Sequence, residues 1–153
     1  LAGLVTDTGV TNAFWTWEKE LPPAMLKLLR AERATEFDHI WNEIPQELNE
    51  AGRFSVAKRS EIYGNGGGYE RMSNAGRFQL SRAEADRITL PTAITAPELE
   101  TSFTGQQAKL HRWIGANSTL LPFTVAEGGE YHCEPMAPQL RNERVFDWLE
   151  TNA

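Results

Sequence analysis

The chain has 153 residues, 41% of them hydrophobic and 24% charged, with a formal net charge of −6. This length can bury a substantial core without staples. The acidic balance argues against general nucleic-acid binding, which requires a basic excess. No apolar run approaches the roughly 20 residues needed to span a bilayer.

Cys133 is the sole cysteine, so an intrachain disulfide is impossible and a reducing, cytoplasmic location is expected. The expected organisation is one α+β domain over residues 1–153. It would have an N-terminal helical segment, a small mostly antiparallel sheet and a closing C-terminal helix.

In chain order, Leu1–Val5 reads as a short strand and Thr6-Asp7-Thr8-Gly9 as a turn cluster. Ala13–Trp17 is aromatic and suits either a strand or the entry to a helix. Leu21-Pro22-Pro23 marks a helix start, because proline suits the first turn. Thr35 and Asp38 have capping spacing for a second helix. Phe37, Ile40, Trp41, Ile44 and Leu48 then form one helical stripe. Pro45 is expected to kink this helix and Gly52 to follow its end. Between Glu18 and Glu50 stand eight acidic and four basic residues, as on a solvated helical face.

Arg53–Ala57 alternates and predicts a strand. Next comes Gly64-Asn65-Gly66-Gly67-Gly68, a glycine-rich connector between two halves of the chain. Glycine reaches positive φ at no steric cost. The stretch therefore suits a mobile joint, a hairpin turn between Ile62-Tyr63 and Tyr69, or a backbone nest for an anion. It lacks the Gly-Lys-Ser/Thr of a phosphate-binding loop.

Arg77–Leu80 predicts another strand, and Ser81-Arg82-Ala83-Glu84 a capped helical turn. Arg87–Leu90 and Ala93–Thr95, on either side of Pro91, suit edge strands or extended segments. Residues 108–114 before Gly115 predict a short helix. Leu120–Val125 and Glu130–Cys133 predict a hairpin around Glu127-Gly128-Gly129. Pro138 opens a last helix, with Val145, Phe146 and Leu149 inward and Trp148 at the margin. One core is expected to gather Phe37, Ile40, Trp41, Ile44, Leu120, Val125, Phe146 and Leu149.

The titratable groups of interest are the histidines. His39 and Glu43 stand at i, i+4 on a helix, and His132 and Glu134 at i, i+2 on the expected strand. If the two pairs met, they would offer imidazole nitrogen and carboxylate oxygen to a divalent metal such as zinc. No cofactor signature accompanies them. Cys133 and His132, adjacent on a strand, would face opposite ways and make no dyad. Candidate binding residues are Gly66, Gly67, Tyr69 and Arg71 around the glycine stretch, and Trp15 and Trp17, since tryptophan is enriched at binding anchors.

Two fragments carry resemblances. Trp17–Pro22 followed by Met25–Leu29 is similar to the opening of a family of small bacterial immunity proteins. There the glycine segment comes soon after this helix; here it comes some 35 residues later. Glu36–Trp41 looks like a helical stretch of phage large terminases, where a glycine follows soon after the tryptophan; here Asn42-Glu43-Ile44 follows.

No catalytic motif such as G-x-S-x-G or H-E-x-x-H is present. The leading expectation is a non-enzymatic protein-interaction module of immunity, inhibitor or phage accessory type, with a protein as its partner. The alternatives are a small enzyme or ligand-binding domain with a polar site near the glycine stretch and His132, and a virion structural protein.

Overall fold

The computed structural model describes residues 2–152. The contacts divide the chain into two compact units. One comprises Leu1–Asn12 and Leu80–Ala153, and the other Ala13–Gln79.

The first unit contains a three-stranded sheet: β1 (Leu4–Thr6), β2 (Thr92–Pro97) and β3 (Ser118–Phe123), in the order β1-β2-β3. Every pairing is parallel. Leu4 aligns with Thr92, and Thr92 with Ser118. Helices cover 55% of the structure. The expected mostly antiparallel sheet is therefore corrected to a wholly parallel one in a helix-rich chain. Parallel neighbours require crossover connections, usually helical. Helix α7 (Gln106–Ile114) supplies one between β2 and β3.

β2 is the central strand rather than an edge. Its residues are buried almost throughout, as in a sheet covered on both faces. The prolines do not interfere, because Pro91 precedes the strand and Pro97 is its last residue. Leu110, Ile114 and Ile94 form a core cluster with Ala85, joined at its margin by Leu80, Ile88, Trp113 and Leu120. Gly9 belongs to the same packing: a Cβ there would stand 2.7 Å from Ile94 Cγ2.

Helix α6 (Arg82–Ala85) carries the expected capping box between Ser81 and Glu84. Gly115, at φ 72°, stops α7 where expected. The hairpin over 120–133 does not form. After β3 the chain makes a 3-10 turn at Val125–Glu127 and an irregular turn. It then enters α8 (Pro138–Asn152). On α8 the inward residue is Trp148, whereas Phe146 is 61% exposed.

The second unit is entirely helical: α1 (Phe14–Glu20), α2 (Pro23–Arg30), α3 (Ala34–Glu47), α4 (Glu50–Glu61) and α5 (Gly68–Ala75). Pro23 occupies the first turn of α2. Phe37 and Trp41 of α3 are buried with Trp17, Leu21, Met25 and Met72. Ile40 and Ile44 pack at the edge of that cluster. Pro45 sits inside α3 without ending it.

Arg53–Ala57 lies in α4, not in a strand. Five residues of alternation cannot outweigh a run of helix formers capped by the Asn49 side chain, which accepts from the Gly52 N–H at 2.9 Å. Arg77–Leu80 supplies no strand to the sheet. The single expected core is two clusters, and Val125, Phe146 and Leu149 belong to neither.

Candidate functional site

Three parallel strands place all their carboxyl ends on one edge, where open α/β sheets bind ligands. Asp7 and Thr8 follow β1, Thr95 lies near the end of β2, and Glu100 follows that strand. The segment from 124 to 137 returns along this edge. The Glu98 N–H donates to the Phe123 carbonyl and the Leu99 N–H to the Glu130 carbonyl, both at 2.8 Å.

Within this segment Cys133 and Glu134 adopt left-handed φ values of 60° and 44°. Non-glycine residues rarely do so and need surrounding structure to hold them. The Glu134 N–H donates to the Tyr131 carbonyl at 2.8 Å, and the Ala137 N–H donates to the Glu134 carbonyl at 3.0 Å. His132 and Glu134 are therefore on a turn, not on the expected strand.

Two polar networks meet here. In the first, His132 Nδ1 lies 2.7 Å from Glu100 Oε2 and 3.2 Å from Thr8 Oγ1. The Thr8 hydroxyl also donates to Glu100 Oε2 at 3.1 Å. Burial works against the Glu100 charge. The bonds from His132, the Phe103 N–H and Thr8 outweigh it and hold the carboxyl below the ordinary range. Carboxylate and hydroxyl both address the same ring nitrogen. A nucleophile–histidine–carboxylate relay uses both nitrogens, so this triangle pins the turn rather than activating Thr8.

The second network joins Asp7, Thr95, Arg141 and Glu134. The Thr95 hydroxyl donates to Asp7 Oδ1 at 3.0 Å. Arg141 Nη1 donates to Asp7 Oδ2 at 3.3 Å and to the Cys133 carbonyl at 3.2 Å. Glu134 has no exposed surface, and neither of its carboxyl oxygens receives a hydrogen bond. Thr95 has one hydroxyl proton and it is directed at Asp7. Burial first, and then the adjacent Asp7 charge, push Glu134 up to about 8. A carboxyl beside a carboxylate cannot easily ionise as well, so Glu134 holds a proton at neutral pH and Asp7 is the group within reach to accept it.

Burial also raises the Cys133 thiol, helped by Asp7, Glu134 and Glu100. A protonated thiol is a poor nucleophile.

The residues singled out from the sequence have other places. Gly67 caps α5, and Gly68 is its first residue. Ile62-Tyr63 and Tyr69 therefore flank a helix–helix joint rather than a hairpin. An anion at this helix N-terminus is supplied by the chain itself: Asp38 Oδ1 accepts from the Tyr69 N–H at 2.7 Å. Arg71 donates back to the Gly66 carbonyl at 3.0 Å and to Ser60 Oγ at 3.1 Å. Trp17 is buried, with Arg59 over its ring, and Trp15 carries Lys19 over its ring at 3.9 Å.

His39 and Glu43 pair at 3.6 Å on the exposed face of α3, in the helical unit. His132 and Glu134 belong to the sheet unit. Among the described residues, no group of three or more His, Cys, Asp or Glu side chains is arranged to hold a metal ion.

Sequence reasoning reached His132 and Glu134 but missed Asp7, Thr95, Glu100 and Arg141. One signal was available for Asp7: an acidic residue in the turn cluster that follows the expected first strand. Without knowing that the strands run parallel, nothing ties Asp7 to residues about 90 and 130 positions later.

No protein-family model, no curated protein and no solved structure matches this chain. Among the described residues, no helix is long and apolar enough to cross a membrane.

Proposed function

We propose that the sheet unit carries a small acid–base site that acts on a polar small molecule at the carboxyl edge of the parallel sheet. The observation that supports this reading is Glu134, wholly buried, with neither carboxyl oxygen receiving a hydrogen bond and with the Asp7 carboxylate beside it. Two carboxyl groups in environments that separate their protonation are the usual mark of an acid and a base in one site. Glu134 would deliver its proton to a leaving or developing oxygen or nitrogen, and Asp7 would take one from an attacking water. The lone free Cys133 fits a reducing compartment for this chemistry.

The test is hydrolysis of a panel of simple esters, amides, phosphoesters and glycosides by the wild-type chain, Asp7→Asn and Glu134→Gln. Turnover lost in both folded variants supports the reading. Turnover equal in all three proteins, or none on any substrate, would overturn it.

A second reading, a protein-interaction module, is favoured by one observation: the helical unit exposes Phe54, Ile62 and Phe78, each by more than half its surface. Ile62 and Phe78 line one surface pocket, and contiguous exposed apolar surface of this kind marks contact sites. Chemical crosslinking in the source cells should then join a defined partner to the wild-type chain but not to a Phe54→Ser, Ile62→Ser double variant. Equal crosslinking of both would count against it.

A further inference from the structure

We infer that Arg141 is the positioning residue that decides which carboxyl of the Asp7–Glu134 pair carries the proton. The inference rests on the acid–base reading of this edge and deepens it. Two neighbouring carboxyls can share one proton in two ways, and the donors around each decide between them.

Of the two carboxyls, Asp7 is the one that the side-chain donors bond. Thr95 donates to Oδ1, and Arg141 pairs with Oδ2. Each of these bonds stabilises a negative Asp7. Glu134 receives none. Its enclosure disfavours a charge there, so the proton belongs on Glu134 and points at Asp7.

Arg141 does more than supply charge. The same Nη1 that pairs with Asp7 donates to the carbonyl of Cys133, the residue directly before Glu134. One guanidinium on α8 thus links the end of β1 to the turn that holds the second carboxyl, in a left-handed conformation that needs such support. Thr95 cannot substitute for this link, because a hydroxyl has a single proton to donate.

The charged and titratable groups facing the pair are few. From β1 and its extension there is Asp7 itself, from α8 Arg141, and from the turn Cys133, whose thiol feels both carboxyls and, from the segment after β2, Glu100. Glu100 and His132 bond each other. Arg141 is the cation left to act on the pair among the described residues.

The experiment is carbon-detected NMR of the full chain with labelled Asp and Glu side-chain carboxyls, titrated with pH. Asp7→Asn and Glu134→Gln assign the two signals. In the wild type, the neutral-to-alkaline step should be carried by the Glu134 carbon. In Arg141→Gln, the step should spread over both carbons, because the donor that favoured a charged Asp7 is gone. Arg141→Lys keeps the charge and should restore the wild-type pattern in large part.

A step that remains on Glu134 alone in Arg141→Gln would overturn the inference, as would a wild-type step shared equally by both carbons. Should Arg141→Gln not fold, Thr95→Val removes the other donor to Asp7 and leaves Arg141 in place. The step should then stay on Glu134, and its spreading would assign the role to Thr95 instead. The titration needs no substrate. Absence of turnover with the proton on Glu134 would sink the acid–base reading and leave the role of Arg141 standing.

Discussion

Asp38 and Tyr69 are 31 positions apart, and the carboxylate of the first accepts the backbone N–H of the second at 2.7 Å. The bond places a negative charge from α3 at the N-terminus of α5, where free N–H groups and the helix dipole favour it. Asp38 thereby does the work of a capping side chain for a helix whose own cap position, Gly67, has none to offer. Asp38→Ala should cost about 1 kcal/mol, within the usual capping range of roughly 0.5–2 kcal/mol. Urea unfolding measures this directly. A midpoint equal to wild type would mean that water replaces the carboxylate without loss.

Gly68 is required by its neighbour. A Cβ there would stand 2.1 Å from Trp41 Cγ, inside the ring's own volume. Trp41 is buried against Trp17 and Phe37, with ring centroids 6.1 Å away in each case, and has no room to retreat. Overpacking of this kind costs about 1–3 kcal/mol. Gly68→Ala should therefore unfold at distinctly lower denaturant. Gly76→Ala, at a position with ordinary helical φ of −61°, should change the midpoint little. Equal losses at both positions would contradict this packing.

Phe37 and Phe146 separate core from surface. Phe37 has no exposed area and packs against Trp41 and Tyr69, while Phe146 is 61% exposed. Phe37→Ala should destabilise by about 3–5 kcal/mol. Phe146→Ser should stay within about 0.5 kcal/mol of wild type. Thermal melts of the two variants give the answer, and a large loss from Phe146→Ser would show that α8 buries its other side.

Glu134 gives the chain a pH dependence of definite sign. Its carboxyl is raised from the ordinary 4.5 to about 8 in the folded state, chiefly by burial. Between those values the folded chain holds a proton that the unfolded chain has released. Stability therefore falls as pH rises through this window. The contribution is fully present below about pH 4.5 and lost as pH passes about 8. Glu134→Gln has no such proton and should show a flatter profile from pH 5 to 8. Melting midpoints of both proteins across that range decide the matter; parallel profiles would mean that Glu134 ionises normally.

Much of the local structure was legible in the residues. Pro23 at the start of α2, the Ser81–Glu84 capping box, Gly115 after α7 and Pro138 opening α8 all act through contacts within a few positions, so spacing alone reveals them. Arg53–Ala57 is helical where its pattern suggests a strand, because a short alternation of apolar and polar residues is shared by strands and helices. The expected hairpin over 120–133 is absent because glycines after a strand serve equally as a hairpin turn or as the exit from a 3-10 turn. At the site, His132 and Glu134 could be picked out by residue type, but not their partners Glu100 and Asp7.

Composition, charge and local signals thus determined by themselves that the chain folds with helices and a small sheet, where several helices begin and end, and that Phe37 and Trp41 share a buried face. Only the tertiary structure decided that the strands run parallel, with β2 at the centre. Strand direction depends on which distant segments pair, and neighbouring residues carry no record of it. The same pairing carries Asp7 from one end of the chain to Thr95, Glu134 and Arg141. The burial and charge that hold a proton on Glu134 arise from that meeting, because a carboxyl's environment is made by groups far away in sequence.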